Sequence, residues 1–142
     1  MKKHNIPEQI SQTLKEMGYY IRKLSNGDIL FEFKSGHIIS IEFQNERKTS
    51  FVIMSKIGKL SSEHQYEIGL SCCINVNPTL LITKLIIEEE DGIHHLCAKI
   101  NYACYSAAEA RKFISIALEF LSFAMITACE YMNKISDKKR TK

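Results

Sequence analysis

Three observations predict an α+β fold: an antiparallel sheet, built from a meander and a later hairpin, packed against helices in the order α-β-β-β-β-α-β-β-α. Apolar residues repeat with a helical period near both ends and once in the middle. Between those stretches they alternate with period two. Turn pairs punctuate the alternating runs: Asn26–Gly27, Ser35–Gly36 and Asp91–Gly92.

The first helix is expected over 6–17. Ile10, Leu14 and Met17 recur at helical spacing, Asn5 can cap, and Pro7 sits in the first turn, where its missing N–H costs nothing. Gly18 follows as a helix-ending glycine. Strands are then expected over 19–24, 28–34, 37–43 and 49–57. In the second, Ile29, Phe31 and Phe33 share a face. In the third, Ile39, Ile41 and Phe43 do the same. Ser62 with Gln65 forms a capping box opening a helix over 62–75, with Tyr66, Leu70, Cys73 and Ile74 turned inward. Gly69 weakens that helix by roughly 1 kcal/mol. Asn77–Pro78 ends it. Strands over 80–90 and 93–105 pair around Asp91–Gly92. Ser106 with Glu109 opens the last helix, 107–135.

That helix is apolar over about two thirds of its circumference. Phe113, Ala117, Phe120, Ala124 and Tyr131 make one stripe. Ile114, Leu118, Leu121, Met125, Cys129 and Met132 make a second, and Ile116, Phe123 and Ile126 widen the arc. Either the sheet curls around this helix or part of it meets another chain. Ile116, Phe123 and Ile126 are therefore the candidate partner-binding residues.

The length of 142 residues fits one domain, expected over 1–135, with a basic, disordered tail over 136–142. The charge has the same boundary. Of the net +3, residues 134–142 carry +4 (Lys134, Lys138, Lys139, Arg140 and Lys142 against Asp137), which leaves the body at −1. A nucleic-acid binder shows a basic stripe on its folded surface, so no nucleic-acid partner is expected. The cysteine count is odd, at five, no CxxC spacing occurs, and no apolar leader opens the chain. These features point to a reducing cytoplasm, with thiols serving as small core residues. Glu119 and Glu130 interrupt the most apolar stretch, so no membrane span is expected.

No Walker loop, nucleophile elbow, dinucleotide fingerprint or zinc-spaced set occurs, so neither a catalytic residue nor a cofactor is expected. One constellation deserves weighing. If Asp91–Gly92 is a two-residue loop, Glu89 faces His94 and Glu88 faces His95 across the hairpin. Such groups can ligate a metal, which makes Glu88, Glu89, His94 and His95 an alternative metal site. Charged residues that keep a solvated hairpin tip soluble are the stronger explanation, since opposite-charge pairs there contribute only roughly 0.2–1 kcal/mol. The same register sets Lys84 against Lys99.

The segments IPEQISQTLKEMGYY, DILFEFKSGHIISIEF, INVNPTLLITKLIIEEEDGIHHLCAKI and SAAEARKFISIALEFL cover most of the chain. In pattern and order they resemble the YbjN family, labelled as bacterial sensory transduction regulators, and the related type III secretion chaperone-like fold. The resemblance implies no catalytic residues. Secretion chaperones of this fold are small homodimers that bind an unfolded segment of a client. The function expected is a non-catalytic, cytoplasmic, homodimeric protein-binding module with a protein partner or client peptide. The alternative is a small-molecule or metal-responsive sensor with a pocket between sheet and last helix.

Overall fold

The computed structural model describes residues 5–33, 36–44 and 46–140, the side chains of 137–140 excepted. Its elements are α1 (Ile6–Glu16), β1 (Ile21–Lys23), β2 (Ile29–Glu32), β3 (Ile38–Phe43), β4 (Ser50–Leu60), α2 (Glu63–Val76), a single 3₁₀ turn (Asn77–Thr79), β5 (Lys84–Glu90), β6 (Ile93–Ala103) and α3 (Ala107–Arg140). This is the expected α+β order. The strands form one six-stranded sheet in the order β1-β2-β3-β4-β6-β5.

Local chemistry accounts for the element ends. Asn5 Oδ1 accepts the Glu8 N–H at 3.2 Å, capping α1, and Gly18 follows its end at φ +96°, where a β-carbon would be strained. Both serines cap as expected, with the return bond from the third helical residue going to the N–H just before the serine. Ser62 Oγ accepts the Gln65 N–H at 3.1 Å, and Gln65 Oε1 accepts the Ser61 N–H at 2.6 Å. Ser106 Oγ accepts the Glu109 N–H at 3.1 Å, and Glu109 Oε2 accepts the Tyr105 N–H at 2.9 Å. Asp91 and Gly92 both have positive φ, as a two-residue hairpin loop requires. The Ser35–Gly36 turn falls partly outside the described residues.

The fold divides into two compact units, and β4, β6 and α3 contribute to both. The first contains residues 1–55 and 100–119. Its core joins Ile6, Ile10 and Leu14 of α1 to Ile29, Phe31, Ile39, Ile41, Phe51 and Ile53 of the meander, and to Ile114 and Ala117. The registers Phe31↔Ile39, Ile29↔Ile41 and Ile41↔Ile53 place these side chains on one face of the sheet. Phe113 stacks on Tyr102 with ring centroids 3.4 Å apart and meets Phe51 edge-on at 6.1 Å. Glu16 and Arg111 pair at 2.7 Å on the surface of this unit.

The second unit contains residues 56–99 and 120–142. Its buried residues include Leu60, Ile68, Cys72, Val76, Leu85, Leu96, Leu121, Ala124, Met125 and Ala128. Here α2 departs from the sequence reading. Its buried face is Ile68, Gly69, Cys72 and Val76, whereas Leu70 and Ile74 are exposed and Tyr66 and Cys73 half-buried. The cause is size. A β-carbon at Gly69 would lie 2.8 Å from Leu60 Cδ1 and 3.4 Å from Ile87 Cδ1, so the glycine lets the helix settle onto these side chains. A face carrying Leu70 and Ile74 would hold it further off. α3 continues to Arg140, so the segment expected as a tail from 136 begins as helix. Lys and Arg are good helix formers, which favours the extension. Thr141 and Lys142 lie outside the described residues.

Replacing Gly69 by Leu should overpack this contact and lower stability by about 1–3 kcal/mol in urea unfolding. Gly69→Ala should change stability far less, because the gain in helix propensity, about 1 kcal/mol, offsets the displacement of a Leu60 methyl.

Candidate functional site

Of the three proposed partner-binding residues, Ile116 lies in the first unit, and Phe123 and Ile126 lie in the second. All three are exposed, Phe123 and Ile126 at 56% each. In the second unit the opposite flank of α3 buries Leu121, Ala124, Met125 and Ala128. By length and composition alone α3 also passes as a membrane-spanning helix, contrary to the expectation, because its most apolar window holds no more than two charges. The signal is weak, since core helices pass the same test.

The hairpin has the expected register, Glu88↔His95 and Glu89↔His94. Successive residues of a strand face opposite sides, so the four side chains divide two and two between the faces of the sheet. His94 Nε2 lies 3.8 Å from Glu89 and its ring meets Tyr66 at 4.9 Å. On the other face Glu90 takes Lys56 at 2.7 Å, which holds the Glu90 carboxyl below its ordinary range. Among the described residues no group of three His, Cys, Asp or Glu converges as a metal site. Lys84 does face Lys99. Lys84 is exposed and Lys99 half-buried, and the long stems let both ammonium groups reach water.

The five thiols are free. Burial pushes Cys72 up to about 12 and Cys97 and Cys104 up to about 11. Cys73 and Cys129 are raised as well, again by burial. A nucleophilic cysteine needs the reverse shift, because the thiolate is the reactive form.

Two surfaces escaped the sequence reading. One is the outer side of α2 and the loop after it, with Ile74 at 71% and Leu81 at 78% exposure. The other lies at β1, where the fully exposed Tyr20 separates two concavities. A hollow of about 490 Å³ is lined by Lys15, Gly18, Tyr19, Tyr20 and Ile21. A second, of about 330 Å³, is lined by Tyr20, Ile21, Arg22, Leu30, Phe31, Glu32 and Ile38. The available signal was the pair of adjacent tyrosines entering a short strand beside Arg22, since Tyr and Arg are enriched where proteins meet.

No protein-family model and no curated protein matches the sequence. Solved structures do match in fold. The crystal structure of YbjN, a candidate transcription regulator from E. coli, superposes with a TM-score of 0.69 at 10% identity, over 88% of this chain and 92% of that one. The Yersinia pestis type III secretion chaperone SycH, solved in complex with a stable fragment of YscM2, superposes with a TM-score of 0.52 at 12% identity, over 87% of this chain and 99% of that one. The chain therefore has the YbjN and type III secretion chaperone-like fold, as its sequence pattern implied.

The raised thiols have a measurable consequence. In the folded protein Cys72, Cys97 and Cys104 stay protonated above the ordinary thiol value of 9.0. Once the unfolded chain loses those protons it binds fewer than the folded one, so stability falls as pH rises from 9 toward 11–12. Chemical unfolding between pH 8 and 11 should show this decline. At pH 8 a thiol-specific disulfide reagent should label Cys73 and Cys129 first, and the other three only in denaturant.

Proposed function

We propose that the chain is a non-catalytic protein-binding module, an adaptor or chaperone-like regulator that works in the cytoplasm as a homodimer. The observation that carries this reading is apolar surface left over after the core is filled. In the second unit α3 already buries Leu121, Ala124, Met125 and Ala128 on one side, yet presents Phe123 and Ile126 to solvent on another. Fully covering such a side chain stabilises an association by roughly 1.5–3 kcal/mol. An exposed ion pair contributes about 0–1 kcal/mol, so the apolar residues and not the surface charges would decide association. Ile116, seven residues before Phe123, extends the same exposed flank at helical spacing. The neighbours in fold are a candidate regulator and a chaperone crystallised with a protein fragment, which supports a protein as partner.

In this reading the second copy covers Ile116, Phe123 and Ile126, and a client or partner takes a separate part of the surface. Nucleic acid is not a partner, because the positive charge is concentrated in residues 134–142 and the body is slightly acidic. The chain stays off the membrane, its apolar helix being engaged by protein on both flanks.

Phe123→Glu should convert the dimer into a soluble monomer, read by size-exclusion chromatography with light scattering, with its circular dichroism unchanged. A variant that stays dimeric, or that loses its fold, places the interface elsewhere. The function itself is tested by tagged pull-down from the source cell with quantitative mass spectrometry. A single stoichiometric partner is the expected result, and recovery of the bait alone counts against a binding module.

A further inference from the structure

The second unit carries both signs of charge, in separate stretches of the chain. Where β4 ends, α2 begins and the β5–β6 loop turns, a hollow of about 470 Å³ has Leu60, Glu63, Tyr66 and His94 in its wall. Three features of that wall suit a lysine or arginine side chain. The first is aromatic: the Tyr66 and His94 rings meet edge-on with centroids 4.9 Å apart, and a ring face attracts a cation. The second is anionic: Glu63 lines the hollow, and Glu89 stands beside His94, its Oε2 3.8 Å from the His94 Nε2. Among the described residues no lysine or arginine forms an ion pair with either carboxylate. The third is apolar: Leu60 contributes surface on which the methylene stem of a long cation can lie. The same hairpin already takes an ammonium on its other face, where Glu90 pairs with Lys56 at 2.7 Å. Glu89 is the counterpart on the face that α2 covers, two residues beyond Ile87.

The chain itself carries the matching group. Residues 134–142 hold five lysine or arginine residues against one aspartate, and α3 stays helical through Arg140. Lys134 is exposed, and positions 134 and 138 lie one turn apart on one side of the helix. A segment already helical loses less conformational freedom on docking than a disordered tail would. Both halves of the contact are present on every copy, so a second copy always brings the complement, and two copies can exchange it reciprocally.

We propose that this hollow binds the basic end of α3 from a second copy of the chain, a lysine or arginine side chain entering between Glu63, Tyr66 and His94. The contact goes beyond the dimer made through the apolar flank of α3 and is independent of it. Exposed ion pairs are individually weak and are screened by salt, so this contact forms in concentrated solution at low ionic strength.

The probe is a fluorescein-labelled peptide of residues 133–142, Asn-Lys-Ile-Ser-Asp-Lys-Lys-Arg-Thr-Lys, titrated with the full chain in low salt and read by fluorescence anisotropy. It should bind, and the same peptide with glutamine at every basic position should not. Glu63→Lys with Glu89→Lys should weaken binding about tenfold. Glu42→Lys with Glu46→Lys, the same change of net charge in the other unit, should leave it within about twofold. No binding, or equal weakening by the two charge-reversed chains, overturns the site. The occupant is tested by sedimentation of the concentrated chain in the Phe123→Glu background. That chain should self-associate in low salt and not in high salt. Self-association should vanish on adding Glu63→Lys with Glu89→Lys, vanish on adding Lys134→Glu with Lys138→Glu, and return when those two chains are mixed. A mixture that stays monomeric overturns the assignment to a second copy. If Phe123→Glu stays dimeric in dilute solution while the peptide keeps its pattern, the α3 interface falls and the hollow stands.

Discussion

A 34-residue helix that is apolar over about two thirds of its circumference needs more cover than one sheet face supplies. α3 sets that demand, and the arrangement around it answers the demand unequally. One flank is buried in each unit, by Ile114 and Ala117 in the first and by Leu121, Ala124 and Ala128 in the second. Small residues at Ala117, Ala124 and Ala128 let neighbours approach the helix axis closely, as they do at Gly69 of α2. Ile116, Phe123 and Ile126 stay outside, although Ile114 and Leu121, no smaller than Ile116, are buried. Position around the helix, and not side-chain size, decides which of them the core takes.

The elements legible in the sequence are those whose signals are local and redundant. Asp91–Gly92 fixes the hairpin loop, and with it the whole β5–β6 register down to Lys84 against Lys99. Ser62 and Ser106 fix two helix starts by accepting the N–H three residues on, while the Gln65 and Glu109 side chains reach back to the N–H of Ser61 and Tyr105. Alternation at Ile29, Phe31, Ile39 and Ile41 fixes the face of the meander. In each case the pattern admits one physical solution.

α2 shows why the rest was not legible. Tyr66, Ile68, Leu70, Cys72, Cys73, Ile74 and Val76 put apolar residues around most of its circumference, so periodicity allows more than one inward face. The choice is made by how close the helix can come to Leu60 and Ile87. That closeness depends on Gly69, which the sequence presents as a weakness and not as a contact. The surface beside β1 was hidden for a related reason. An open strand edge is a property of sheet order, and order is set by which strands pair, not by any one strand's residues. Nothing in Tyr19 to Lys23 announces that β1 ends the sheet, although Tyr20 and Arg22 carry the composition of a contact surface.

The two sheet edges carry their charge differently. Glu88, Glu89 and Glu90 lie on the end strand β5, Glu88 and Glu90 on one face and Glu89 on the other. Like charges along an edge discourage pairing with a second sheet, a common defence of exposed strands. The Asn77 amide completes that defence at Leu85, where the acids do not reach. At β1 the defence takes another form: the strand is only three residues long and carries Arg22 and Lys23, with Lys23 held by Glu8 at 2.9 Å.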